Sequence, residues 1–85
     1  MNAEEMKART PTFALRIIRL AESLPKTPTA NTIRNEMLRC GPSVGANNRA
    51  ACRAKSKPDF AAKMGIVEEE ADETAYWIEL LIDAE

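Results

Sequence analysis

The chain has 85 residues, a length that admits one domain, and 45% of them are hydrophobic, which excludes an intrinsically disordered chain. A domain of this size buries only about 60% of its unfolded surface, and its two cysteines allow at most one disulfide, so the core is marginal. Histidine is absent, removing the commonest neutral-pH acid/base and metal ligand, and the formal charge of −1 argues at face value against a nucleic-acid partner.

That charge is a cancellation. Residues 1–25 carry four basic and three acidic side chains. Residues 26–63 carry eight basic ones (Lys26, Arg34, Arg39, Arg49, Arg53, Lys55, Lys57, Lys63) against Glu36 and Asp59, a surplus of six. Residues 64–85 hold eight acids and no Lys or Arg. A basic middle therefore faces an acidic end, and the net value no longer excludes nucleic acid.

Proline and glycine divide the chain into three helical stretches. In the first, expected over residues 3–24, Phe13, Ile17, Leu20 and Leu24 recur at helical spacing. Thr10-Pro11 either caps a helix or interrupts one begun near Ala3. Thr27 and Pro28 supply the N-cap and first turn of the second stretch, expected over residues 28–54. Its heptad seam is Ile33, Met37, Cys40, Val44, Asn47, Ala51 and Ala54. Gly41-Pro42 leaves two readings, a pair of short helices or one helix bent near 42; the continuous seam favours the bent helix. Ser56, Pro58 and Asp59 open the third stretch, expected over residues 58–84, with Phe60, Met64, Val67, Ala71, Thr74, Ile78 and Leu81 as its seam. No strand-like alternation competes. The fold expected is all-α, a single antiparallel up-and-down helical bundle, in which pairing of the second and third stretches brings Arg39 near Glu73 and Arg49 near Glu68.

The apolar run around residues 15–20 is broken by Arg16 and Arg19, so no membrane span is expected. Glu4 and Glu5 stand where a signal peptide carries positive charge, which makes a cytoplasmic location with free thiols the expectation. Cys40 and Cys52 lack a histidine neighbour and read as small buried hydrophobes. Gly41, Ser43, Gly45, Ala46, Ala50, Ala51 and Ala54 make the second helix slim, a pattern suited to close helix packing rather than to a ligand on bare backbone, with Asn47 on its seam selecting register or bonding across an oligomer interface. The carboxylates at 68–73 lack the Glu-x-x-His pairs of a di-iron bundle, so they read as a solvated, salt-bridging face and no metal or other cofactor is expected. Trp77, Leu80, Leu81 and Ile82, with Tyr76 and Ile78, place apolar groups around most of the last helix, more than a three-helix monomer covers, so a helix from another subunit or another segment is expected against them.

The stretch CGPSVGANNRAACRAKSKPDF (residues 40–60), then EEEADETAYWIELL (residues 68–81), FALRI (residues 13–17) and Leu24-Pro25, resembles the bacterial four-helix-bundle family that contains the 23S rRNA-intervening sequence proteins. The resemblance implies antiparallel bundles assembled as homopentamers, without established enzymatic activity. A related branch, the accessory proteins of diversity-generating retroelements, uses a basic pentamer surface to bind nucleic acid and a reverse transcriptase. Arg49, Arg53, Lys55 and Lys57 fall in the corresponding basic stretch here and are the candidate nucleic-acid-binding residues. Pro42 stands where the family usually has a Thr-like residue, and Asn48 where an aromatic is common. The chain stops at Glu85, where family members usually continue into a fourth helix, so that helix is expected to be absent. Two functions follow: a non-enzymatic oligomer contacting RNA or another nucleic acid through its basic turn, or a purely structural or protein-interaction module. Neither takes a small-molecule substrate or engages a membrane.

Overall fold

The computed structural model describes residues 2–84, which form three α-helices and no strand: α1 (Ala3–Ser23), α2 (Pro28–Ala51) and α3 (Lys57–Asp83). Each begins on a side-chain cap. Asn2 Oδ1 accepts from the Glu5 N–H at 2.9 Å, Thr27 Oγ1 from Ala30 at 3.1 Å and Ser56 Oγ from Asp59 at 3.1 Å, satisfying amides that the first helical turn leaves without partners. Proline does not break either helix that contains one: α1 runs through Pro11 and α2 through Pro42. Thr10 is accordingly not a cap but a buried residue within α1. Helix α2 ends at Ala51, short of Ala54, because the Arg53 and Ala54 amides turn back three residues, to Ala50 and Ala51 at 3.0 Å.

Helix α2 is the shared element. It packs on both other helices, while no pair of Cα atoms from α1 and α3 lies within 8 Å. Successive positions of α2 meet α1 in reverse order: Gly45 faces Thr10, Gly41 faces Ile17, and Arg34 reaches Ala21 and Leu24. The same reversal holds against α3, where Ser43 and Cys40 meet Glu70 and Thr74. One end of the molecule holds the apolar cluster of Ile17, Ile33 and Met37, with Phe13, Leu24, Trp77, Ile78 and Leu81 packed against it. The other end is filled by smaller and more polar side chains: Thr10, Val44, Asn48, Ala51 and Val67 are all buried there.

Burial corrects several positions. Asn47 is not the buried seam amide: its Nδ2 donates to the Ser43 carbonyl at 2.9 Å and to Ser43 Oγ at 2.8 Å within α2, while Asn48 is 4% exposed. Because α2 packs on two sides, its buried arc is wider than a heptad seam, and Asn48, about 100° round the helix from Asn47, falls in the half facing α1. Cys40 is fully buried, with Sγ 3.1 Å from Thr74 Oγ1, but Cys52 is exposed, contrary to its reading as a core residue. Leu20 and Phe60 also leave their seams for solvent, and Ala21 takes the buried place beside Leu20.

Two interactions set the α1–α2 geometry. The first is backbone approach, since a Cβ on Gly41 would lie 2.7 Å from Ile17 Cγ2 and one on Gly45 3.2 Å from Thr10 Oγ1. The second is Arg34. No basic residue stands in the last turn of α1, and Arg34 of α2 supplies the charge, donating from Nε to the Ala21 carbonyl at 3.0 Å and from one terminal nitrogen to Leu24 and Pro25 at 2.9 and 2.8 Å. A guanidinium fork is suited to several carbonyls at once, and a cation is favoured at the negative end of a helix.

Alanine at Gly41 and at Gly65 is expected to act in opposite directions. Gly65 has nothing within 4 Å of its would-be Cβ, so Gly65→Ala is expected to stabilise by about 0.5–1 kcal/mol through helix propensity. Gly41→Ala gains the same propensity but drives a methyl into Ile17, for a net loss of ~1–2 kcal/mol; urea denaturation of both variants checks the sign. Arg34→Ala is expected to cost about 2 kcal/mol, as hydrogen bonds to a charged group do, with Arg34→Lys recovering less than half because an ammonium cannot span the three carbonyls.

Candidate nucleic-acid interface and the adjoining cleft

Of the eight basic residues between 26 and 63, three are engaged within the protein. Arg34 caps α1. Arg39 pairs with Glu73, with Glu70 at 3.4 Å and with Glu36 at 3.8 Å, and Ser43 Oγ donates to the same Glu70 carboxylate at 3.1 Å. The Glu73 oxygen thus has the Arg39 guanidinium for its partner. Lys63 Nζ lies 2.5 Å from Asp59. Lys26, Arg49, Arg53, Lys55 and Lys57 form no ion pair among the described residues, and the last four gather at the α2–α3 end.

The local structure holds these four in place. Arg49 is exposed in the last turn of α2, where its charge suits the helix dipole, and Arg53 is exposed in the tight turn that follows. Lys55 and Lys57 are exposed on either side of the Ser56 cap, Lys57 being the first residue of α3. The positive end of α3 already has an anion. Asp59 accepts from Lys63 Nζ and, at 3.1 Å, from the Lys55 backbone N–H, and these bonds hold its carboxyl below the ordinary value of 3.8. A phosphate approaching this end would therefore meet side-chain cations rather than the bare α3 terminus.

The four do not form one patch. Arg49 forms no ion pair with Glu68; with Arg53 it lines a cleft of about 710 Å³ between α1 and α2, while Lys55 and Lys57 lie outside that lining. The other lining residues include Lys7 and Thr10 from α1, Asn48, and Pro11 and Pro42. Reading the sequence by pairing α2 with α3 alone misses Lys7, Thr10 and Asn48. The signal available was the i, i+4 pair Gly41 and Gly45, which requires a close helix on that side.

The remaining candidates are dispersed. Gly41 and Gly45 abut α1, Ser43 and Asn47 form a polar run beside Glu70 of α3, and Ala46 is exposed at the cleft. Trp77 and Leu81 pack against the apolar cluster and Leu80 is half-buried, whereas Ile82 is 63% exposed and Tyr76 52% exposed, its ring set edge-on to Trp77 at 5.2 Å. The apolar girdle of α3 is thus open mainly at Tyr76 and Ile82, not all round. Among the described residues no group of three or more His, Cys, Asp or Glu is placed to hold a metal ion, and no helix is long and apolar enough to cross a membrane.

A sequence model of the family described as 23S rRNA-intervening sequence protein matches residues 4–85. A crystal structure of a protein of unknown function from the S23 ribosomal protein family of Bacteroides thetaiotaomicron VPI-5482 is 40% identical and superposes with a TM-score of 0.91, over 100% of this chain and 76% of that one. Among curated proteins none matches in sequence.

The Asp59 carboxyl gives this turn a pH dependence. A carboxyl held below its unfolded value contributes stability at pH above that value and loses it as pH falls through the lowered one. Carbon-detected NMR titration is expected to place the Asp59 midpoint below 3.8, and Asp59→Asn to remove its share of the stability loss between pH 5 and 2. A midpoint at or above the ordinary value would show that Lys63 and the Lys55 amide do not hold the carboxylate.

Proposed function

Because the chain belongs to the 23S rRNA-intervening sequence protein family, we propose that it is a non-enzymatic, oligomeric protein built as an antiparallel up-and-down bundle, whose α2–α3 end contacts RNA. One observation carries the nucleic-acid reading. Arg34 and Arg39 are used within the body of the bundle and Lys63 is paired with Asp59, whereas Arg49, Arg53, Lys55 and Lys57 collect at the α2–α3 end and form no ion pair among the described residues. Four such cations displace counterions from a phosphate backbone, and Phe60, 48% exposed beside them, is the one aromatic side chain in reach for stacking. Contacts of this kind favour charge and shape over sequence.

A second reading, a protein-interaction module, is favoured by the exposed Leu15, Leu20, Tyr76 and Ile82, which a further helix from another subunit or segment would cover. The two are compatible when the apolar surface builds the oligomer and the basic end faces outward. The family likeness implies a homopentamer.

Titration of a fluorescent single-stranded RNA at two or more salt concentrations tests the first reading. With four phosphate contacts the slope of log affinity against log salt is expected to be about −3. Lys55→Gln/Lys57→Gln is expected to reduce its magnitude by roughly 1.4, at about −0.7 per contact. Absent or salt-independent binding contradicts it and leaves the interaction module.

A further inference from the structure

The cleft between α1 and α2 has a composition that a surface for polymeric RNA does not require. Its lining brings Lys7 from α1 together with Arg49 and Arg53 from the end of α2, and includes no acidic residue. Lys7 itself has Glu4 at 3.9 Å, in a pair whose partners are both largely exposed and therefore weakly coupled. Two polar residues in the lining, Thr10 and Asn48, are 6% and 4% exposed. The Thr10 hydroxyl donates to the Met6 carbonyl at 2.9 Å. Asn48 takes part in none of the side-chain hydrogen bonds among the described residues, and its amide is not among the polar atoms sealed from solvent without a partner, so it keeps a narrow opening to the cleft. An amide with no protein partner, in the same lining as three cations, is suited to donate to an anion that enters from solvent.

We propose that this cleft binds a small phosphate-bearing molecule carrying two or three negative charges, with Lys7, Arg49 and Arg53 neutralising the phosphates and Asn48 donating to one of their oxygens. Size supports a discrete ligand: about 710 Å³ lies within the range of small-molecule sites, roughly 300–1,000 Å³. So does depth. A polymer backbone lying across the end of the bundle touches the exposed Arg and Lys side chains, whereas Asn48 is accessible to a compact group inserted between the helices. The site goes beyond the RNA-contacting reading and revises the expectation that no small molecule is bound. It shares Arg49 and Arg53 with that surface but not Lys7 or Asn48.

Lys7 and Cys52 make the proposal separable. Lys7 is exposed, so Lys7→Gln leaves the fold intact, and Cys52 is an exposed thiol in the cleft lining while Cys40 is buried. Calorimetric titration of the full chain with pyrophosphate is expected to show one saturable site per chain. Lys7→Gln is expected to weaken it at least five-fold while leaving RNA affinity within two-fold, and Lys55→Gln/Lys57→Gln to do the converse. Saturating pyrophosphate is also expected to slow the reaction of Cys52 with a thiol reagent several-fold, a readout that does not depend on heat signals. Asn48→Ala, if folded by circular dichroism, is expected to weaken pyrophosphate as well. The proposal is overturned if pyrophosphate does not saturate, if Lys7→Gln leaves its affinity unchanged, or if Cys52 reacts equally fast with and without it. Binding of RNA without pyrophosphate removes the small-ligand site and keeps the RNA surface; the reverse result keeps the site and removes the surface.

Discussion

The close approach of α2 to α1 at Gly41 and Gly45 is the constraint on which the rest of the structure depends. With Ile17 seated where a Cβ would otherwise be, α1 lies against bare backbone, and α2 can carry a second helix on its other side without either flank being bulky. Small residues permit such packing but contribute little apolar area, so the larger side chains are concentrated where α1 ends, α2 begins and α3 ends. The opposite end is left with Thr10, Asn48, Ala51 and Val67 as its filling. A domain that divides its interior in this way has one end set by hydrophobic packing and another whose polar groups remain available.

Charge follows the same division. Arg34 and Arg39 are used along the body of the bundle, one to close α1 and the other to hold α3 through Glu70 and Glu73. The part-exposed Arg39 pairs contribute modestly, about 0.2–1 kcal/mol each, so their main effect is to fix which helix faces which. Of the remaining basic residues between 26 and 63 that form no ion pair among the described residues, all but Lys26 share one end. They stand at the polar end, two beside the cleft and two across the Ser56 cap, and the one acid near them, Asp59, is already committed to Lys63 and the Lys55 amide. A near-neutral protein thereby presents a locally basic surface.

Much of this was legible in the sequence. Thr27 and Ser56 are caps because short hydroxyl side chains ahead of Pro28 and Pro58 admit few other roles, and the Arg39–Glu73 pair follows from aligning two helices of similar length about a short turn. What was not legible depends on α2 having two neighbours. A single heptad seam assigns one buried stripe, so it selects Asn47 over Asn48 and sends Arg49 toward Glu68 rather than into the cleft with Lys7. Arg34 was hidden for a different reason: its partners are backbone carbonyls at the end of another helix, which leave no mark in side-chain patterning. Likewise the cleft arises between residues far apart in sequence, none of which forms a motif. The family likeness supplied the basic stretch as a candidate but not its division between a cleft and a loop.

In the function proposed, the exposed Leu15 and Leu20 of α1 and Tyr76 and Ile82 of α3 are where a further helix would pack, and none of the four belongs to the α2–α3 turn that carries the cations. Assembly through the one surface and recognition through the other is the arrangement this distribution supports. The central claim is that the polar end of the bundle is where phosphate is bound. Chemical-shift mapping of the isotope-labelled chain, titrated separately with single-stranded RNA and with pyrophosphate, tests it most directly. The account expects perturbed backbone amides to cluster at residues 7–10 and 48–57, with pyrophosphate confined to Lys7, Thr10 and the stretch 48–53. Perturbations centred on the Arg34 end, or spread evenly over the surface, would contradict it.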